Sequence, residues 1–266
     1  MSYDPVIELS ALLTFDPFRL LDARAPVAFN ANHPPSAVPV PIEAWELAAR
    51  ADETSFENVD YWEEAISALG IDGKAAVVVY DDGRMTEAAR VWFILQYFGV
   101  KAFILNGGWP AIDGSDNWSG LALPFDGPAP FAARPGSGSV GLVDRQLLKA
   151  ELGANIRVFD ARTPAEFAGD DLRRNARGGH LPGARLLPHS ILLASSRLKP
   201  ARELRALLTT AGFQPGDHIV THCDGGGRAA LAAVAAARAG YDDVRAYYLS
   251  FADWAKDESC SIVKTD

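Results

Sequence analysis

The stretch Cys223-Asp224-Gly225-Gly226-Gly227-Arg228 holds the residues of this sequence best suited to covalent chemistry. A cysteine thiolate is a nucleophile. Three consecutive glycines can take backbone dihedrals closed to other residues, so the chain can wrap into a cup with its N–H groups pointing inward, and such a cup binds an anion. The apolar run Ile219-Val220-Thr221 before it reads as a strand and residues Arg228–Ala239 after it as a helix. Cys223 therefore sits at the carboxyl end of a strand, where open parallel α/β sheets bind their ligands. The unpaired N–H groups of the first helical turn favour the thiolate and would hold a sulfur atom bonded to it. Cys260, in Glu258-Ser259-Cys260-Ser261, has no glycine cradle and no helix after it, and reads as a small buried apolar residue.

The elements that must position this loop are written twice in the chain. Arg19-Leu20-Leu21-Asp22-Ala23-Arg24 matches Arg157-Val158-Phe159-Asp160-Ala161-Arg162, each a short apolar run that ends in Asp-Ala-Arg. Ala76-Val77-Val78-Val79-Tyr80-Asp81 matches His218-Ile219-Val220-Thr221-His222-Cys223, which sets Asp81 opposite Cys223. Asn106-Gly107-Gly108-Trp109 then falls opposite Tyr248-Leu249-Ser250-Phe251. Strands expected at Ala76–Tyr80, Phe103–Leu105, Ile219–Thr221 and Arg245–Tyr248 alternate with helices at Glu87–Phe98 and Arg228–Ala239. Unbroken apolar strands in such alternation predict α/β domains, each a mainly parallel sheet with helices on both faces. The expected division is residues 1–122, a linker over 123–140 rich in Pro, Gly and Ser, and a second domain over 141–266.

The chain resembles the tandem-domain rhodanese family, which includes thiosulfate and 3-mercaptopyruvate sulfurtransferases. The loop Cys223 to Arg228 is similar to the family's six-residue active loop, and Asp160-Ala161-Arg162 to its first-strand signature. Arg177-Gly178-Gly179-His180-Leu181-Pro182-Gly183-Ala184 resembles its Gly-His-Ile-Pro-Gly-Ala signature, and Ser250-Phe251-Ala252-Asp253-Trp254 its closing segment. The resemblance implies that Cys223 takes a sulfane sulfur from a small-molecule donor, thiosulfate or 3-mercaptopyruvate, and passes it as a persulfide to cyanide or a thiol, a protein thiol included. It implies no metal and no organic cofactor, and an inactive N-terminal copy, because the carboxylate of Asp81 cannot carry sulfane sulfur.

The active loop is expected to comprise Asp224, Gly225, Gly226, Gly227 and Arg228, with backbone N–H groups from Asp224 to Arg228 as the main catalytic device. Arg228 is expected to anchor the loop to a carboxylate, with Asp160 the candidate. Arg177 and Arg162 are candidates for the donor's negative end or for salt bridges that position the loop. His180 reads as a structural hydrogen-bonding residue, and His222 as pointing away from Cys223. Two departures from the family's pattern leave the donor open: Glu166 stands where a second arginine is common, and Asp224 follows the cysteine directly. A cysteine phosphatase or arsenate reductase needs five residues between Cys and Arg, and this loop has four. A non-catalytic binding module is the other alternative, against which the chain keeps its cysteine.

The formal charge of −9 and pI near 5.1 argue against a nucleic-acid partner, which needs clustered Lys and Arg. No apolar run approaches a bilayer span, and Met1-Ser2-Tyr3-Asp4-Pro5 lacks the basic and apolar regions of a secretory leader. With two cysteines, a reducing compartment and a cytoplasmic location are expected.

Overall fold

A computed structural model of the chain describes residues 4–12, 15–113, 122–154 and 156–264; Met1-Ser2-Tyr3 of the N-terminal segment lies outside the described residues. Two compact units result, one chiefly Pro5–Gly138 and the other chiefly Ser139–Ala194 with Leu198–Asp266. In the first, strands β1 (Val6–Ile7), β2 (Phe18–Asp22), β3 (Val38–Pro39), β4 (Ala76–Tyr80) and β5 (Ala102–Leu105) alternate with helices. These are α1 (Leu9–Leu12), α2 (Pro26–Ala31), α3 (Ile42–Ala48), α4 (Val59–Ser67), α5 (Thr86–Tyr97) and α6 (Trp109–Ile112). The second holds β6 (Gly141–Leu142), β7 (Ile156–Asp160), β8 (Arg185–Leu186), a short pair β9 (Leu193–Ala194) and β10 (Arg197–Leu198), β11 (His218–His222) and β12 (Val244–Ala246). Its helices are α7 (Arg145–Glu151), α8 (Pro164–Ala168), α9 (Ala201–Thr210), α10 (Gly227–Arg238) and α11 (Ser250–Trp254).

Each unit is an α/β domain on a five-stranded parallel sheet, and the two sheets have the same order. The first runs β1-β5-β4-β2-β3 and the second β6-β12-β11-β7-β8. The central strand β4 (AVVVY) is apolar on both faces, and both it and β11 (HIVTH) are almost wholly buried, as strands covered by helices must be. One core in the C-terminal unit gathers Val158, Val220, Tyr247, Phe251, Trp254 and Cys260, and its N-terminal counterpart gathers Phe18, Leu20, Val78, Tyr80 and Leu105.

Sheet register preserves the repeat: Val77 pairs with Ala102, and Ile219 pairs with Val244, each partner 142 residues on. The helices between them do not keep that offset. The N-cap of α5 is Met85 and that of α10 is Gly226, so the loop after β11 is one residue shorter than the loop after β4. The extra residue returns between α10 and β12. The strand expected at Arg245–Tyr248 is also shorter and ends at Ala246. Tyr247 and Tyr248 are buried and read as strand, but the chain turns there, with Ser250 at φ 62° and the Tyr247 hydroxyl bonded to Asp253 Oδ2 at 2.6 Å.

Residues 123–140 contain no helix or strand. They are strapped to the N-terminal unit: Arg19 Nη1 donates to Leu123 O and Pro124 O at 2.9 and 3.0 Å, Ala129 N to Ser67 O, and Arg134 N to Phe98 O. No helix among the described residues is long and apolar enough to cross a membrane.

Candidate active site

Cys223 is the first residue after β11, and its side chain is 1% exposed. Gly226 N donates to Cys223 Sγ at 3.1 Å. Gly226 has φ +101°, a region closed in practice to residues with a Cβ, and it caps α10. The hydroxyl of Thr221 donates to Ala229 O at 2.9 Å and ties the first turn of α10 back to β11. The sulfur thus sits at the N-terminal end of a twelve-residue helix whose free N–H groups carry partial positive charge.

The floor of the cup comes from the turn after β12. Cys223 N donates to Ser250 Oγ at 3.1 Å, and Ser250 Oγ donates to Tyr247 O at 2.9 Å, with Sγ 3.7 Å away as an alternative acceptor. Phe251 N and Ala252 N donate to the carbonyls of Cys223 and Asp224 at 3.0 and 3.1 Å. The expected active loop is therefore held from both sides. Ser250 opens the segment that resembles the family's closing signature and pairs with Gly108 in the repeat, but neither signal tells that its hydroxyl accepts from the Cys223 N–H.

Arg228 anchors the loop, but not to Asp160. Its Nη1 and Nη2 donate to Glu166 Oε2 and Oε1, both at 2.7 Å, a bidentate pair in which the carboxylate side chain is 1% exposed. Glu166 also closes a capping box at the start of α8, accepting from Thr163 N at 3.0 Å while Thr163 Oγ1 accepts from Glu166 N. Burial alone would raise the Glu166 carboxyl; the bonds from Arg228 and Thr163 outweigh it and hold the group down at about 2. Arg228 is correspondingly raised, against the effect of its own burial.

Asp160 is unavailable because Arg162 already holds it. Arg162 Nε and Nη2 reach Asp160 at 2.9 and 2.6 Å, its backbone N reaches Oδ1 at 3.0 Å, and the guanidinium goes on to Gly179 O and stacks 4.1 Å over the Phe251 ring. His222 Nε2 lies 3.3 Å from Asp160 Oδ2, on the far side of the strand end from Cys223. Burial would raise Asp160, but His222 and Arg162 together keep it well below the usual carboxylate range. Arg162, 2% exposed, has no face left for a donor.

Nor is Arg177 placed to bind one: its guanidinium donates to the carbonyls of Ala255, Cys260, Trp254 and Asp257 and ties down the C-terminal segment. His180 stacks on Phe167 at 3.7 Å and bonds Phe167 O at 3.0 Å, a structural position. Asp224 turns outward, where its Oδ1 accepts from Asn175 Nδ2 at 2.7 Å. Asn175 was not legible as a site residue; it lies 49 positions from its partner and in no motif. Cys260 is fully buried in the core, where burial pushes its thiol up.

The N-terminal copy shows what a cup of this kind does with an anion. Asp81 Oδ1 accepts from Gly83 N and Met85 N at 2.9 and 3.0 Å, and Oδ2 from Glu87 N and Ala88 N at 3.1 and 3.2 Å. The longer loop surrounds a carboxylate of the chain itself. Gly108 is required beneath it, since a Cβ there would lie 2.5 Å from Asp81 O. The supporting frame is the same as in the C-terminal copy: Arg24 grips Asp22, bonds Asn32 O at 2.7 Å and stacks 4.0 Å over Trp109.

A family model described as Rhodanese-like domain matches twice, over residues 6–115 and 144–257. A 3-mercaptopyruvate sulfurtransferase of Escherichia coli K12 is 31% identical over 234 residues, 84% of this chain and 80% of that protein. A thiosulfate sulfurtransferase of Pseudomonas aeruginosa is 30% identical over 197 residues, 72% of this chain and 71% of that protein. Among solved structures, an anaerobic ergothioneine biosynthesis enzyme from Chlorobium limicola superposes with a TM-score of 0.83 at 19% identity, over all of this chain and 71% of that one. At that identity it shows a shared fold.

Proposed function

As the chain belongs to the rhodanese family, we propose that it is a sulfurtransferase that loads a sulfane sulfur from thiosulfate or 3-mercaptopyruvate onto Cys223 and hands it to cyanide or a thiol. The Cys223 thiolate attacks the outer sulfur of the donor. With thiosulfate the donor's S–S bond breaks, sulfite leaves with the electron pair, and a new S–S bond holds the sulfur as a persulfide. The acceptor then attacks the terminal sulfur and the Cys223 thiolate is regenerated, with no net oxidation or reduction.

The observation that carries this reading is the Gly226 N–H aimed at Sγ from 3.1 Å at the start of α10. Preorganised donors of this kind act on the sulfur's charge without reorganising during the reaction. Phosphoryl chemistry lacks such support, because the arginine that would clamp a phosphate is bound twice to Glu166. Two free, buried thiols suit a reducing compartment, the cytoplasm.

Intact-mass analysis after incubation with each donor tests the reading. The wild type and Cys260→Ala gain the mass of one sulfur atom, and Cys223→Ser gains none. Uptake by Cys223→Ser, or turnover of para-nitrophenyl phosphate in place of sulfur transfer, would refute it.

A further inference from the structure

Most groups around the cup that could take a proton are committed elsewhere. Glu166 is bonded twice to Arg228 and held down at about 2, and Asp224 accepts from Asn175. His180 is stacked on Phe167 and bonded to its carbonyl, and His222 lies on the far side of the strand end. His189 is different. It opens a short 3-10 helix, His189–Leu192, which follows β8 and packs against α10. Its backbone N donates to Ala161 O at 3.1 Å, and Ala161 N donates to His222 O at 2.9 Å. Two hydrogen-bonded strand spacings, about 10 Å, therefore separate His189 from the residue before Cys223, at the same end of the sheet. An imidazole, the carried sulfur and the sulfur of an incoming acceptor together fill such a gap.

The ring is half-buried. Its Nδ1 is enclosed and has no hydrogen-bond partner, so the open edge of the ring is the one that carries Nε2. Among the described residues no partner claims Nε2. The charged groups near the ring are Arg228 from α10 and Glu166 from α8, with Lys199 at the far end of the short helix, where its ammonium donates to Ile191 O at 2.6 Å. Burial and then Arg228 lower the His189 pKa from its usual 6.5, and the Ala161 carbonyl and Glu166 only partly restore it. The neutral, basic ring is thus the main form at pH 7.

We propose that His189 is the catalytic base of the second half-reaction: its Nε2 takes the proton of a thiol acceptor as the sulfur of that thiol attacks the persulfide on Cys223. This inference rests on the Cys223 reading above. The S–H bond of the acceptor breaks and its electron pair forms a new S–S bond to the terminal sulfur. The S–S bond to Cys223 breaks, and Cys223 leaves as the thiolate with the electron pair. The imidazolium returns its proton to the transferred sulfur, so the product is R–S–SH, the ring ends neutral, and nothing is oxidised or reduced overall. An alkyl thiol ionises only near about pH 8.5 and needs such a base at neutral pH. The attack of the Cys223 thiolate on thiosulfate moves no proton and needs none.

The test follows the two half-reactions separately by intact mass on the full-length wild type, His189→Gln, His189→Asn and Cys223→Ser. Cys223 is loaded from thiosulfate; after removal of the donor it is discharged by 2-mercaptoethanol or by thionitrobenzoate, an aromatic thiol already ionised at neutral pH. Both His189 variants should load as the wild type does, which also shows that they are folded. Their discharge by 2-mercaptoethanol at pH 7 should fall about a hundredfold, while discharge by thionitrobenzoate scarcely changes. In the wild type, discharge by 2-mercaptoethanol should be flat from pH 7 to 8 and fall as pH drops through the His189 value below 6.5; in the variants it should climb about tenfold per pH unit with the thiolate fraction. Equal losses with both acceptors, slower loading in both variants, or a wild-type rate that itself climbs with the thiolate from pH 7 to 8 overturns the inference and leaves the Cys223 reading standing. Sulfur uptake by Cys223→Ser, or failure of the wild type to load, overturns the Cys223 reading itself.

Discussion

Replacing Glu166 by glutamine keeps its size and an oxygen for the α8 capping box but removes the charge that holds Arg228. A carboxyl held at about 2 rather than 4.5 corresponds to about 3 kcal/mol of preference for its ionised form in the folded chain. The Arg228 side chain is 17% exposed, so water recovers little of that once the carboxylate is gone. Because Arg228 lies in the first turn of α10, the loss falls on the loop, and about 2–3 kcal/mol there should speed amide exchange of the 223–238 segment about a hundredfold by local opening. The ratio of variant to wild-type exchange cancels the intrinsic chemistry of each amide, so it can be followed with pH. A depressed carboxyl stabilises fully above its ordinary value and loses that contribution as pH falls through its folded value. The ratio should therefore be large at pH 7, shrink below about pH 4.5 and approach one near pH 2. A ratio below threefold at pH 7, or one independent of pH, would show that the ion pair does not hold the loop.

Asp81 has the opposite sign. Burial pushes it up to about 6, against its four backbone hydrogen bonds, so its contribution is complete below about pH 4 and is lost as pH rises through about 6. Urea unfolding followed by tryptophan fluorescence, to which the N-terminal copy contributes five of the six tryptophans, should show a midpoint that declines over that window and flattens in Asp81→Asn; an unchanged decline in the variant would clear Asp81. Ser250→Ala removes the acceptor of the buried Cys223 N–H, a loss of about 1–3 kcal/mol. Sulfur transfer should fall about tenfold or more while the mass gain at Cys223 persists, and full activity would show that the floor of the cup is not needed.

Much of this architecture was legible because its determinants are contiguous or repeated. The strands Ala76–Tyr80 and Ile219–Thr221 are unbroken apolar runs, and Cys223 lies where a strand, three glycines and a helix meet. What escaped depends on contacts across space. Asp160 ends a strand signature beside the loop, but its oxygens are filled by Arg162 only two residues away, while Glu166, read only as a departure from the family's pattern, lies 62 positions from its arginine. Arg177 sits in a recognisable motif, yet its partners are backbone carbonyls, which carry no side-chain pattern to read. The shift of one residue between the copies is hidden for a different reason: seven of the twelve residues of α10 are alanine, and such a sequence aligns almost equally well in adjacent frames.

That alanine-rich helix has a consequence for how the two copies could diverge. The helical slot is twelve residues long in both, and the strands on either side keep their register. Yet the sequence occupying the slot has been threaded one position along, which turns every side chain by about 100° around the axis. A helix such as α5, with Trp92 and Phe93 fully buried, could not be moved that way without emptying some pockets and overfilling others. One that buries Ala229, Ala230, Ala232, Ala233, Ala235 and Ala236, with Leu231 and Val234 as its two larger buried side chains, has far fewer pockets to refit after the turn. A deletion before such a helix, matched by an insertion after it, can thus resize the anion cup from one that encloses a carboxylate to one that closes on a single sulfur, while every strand stays in place.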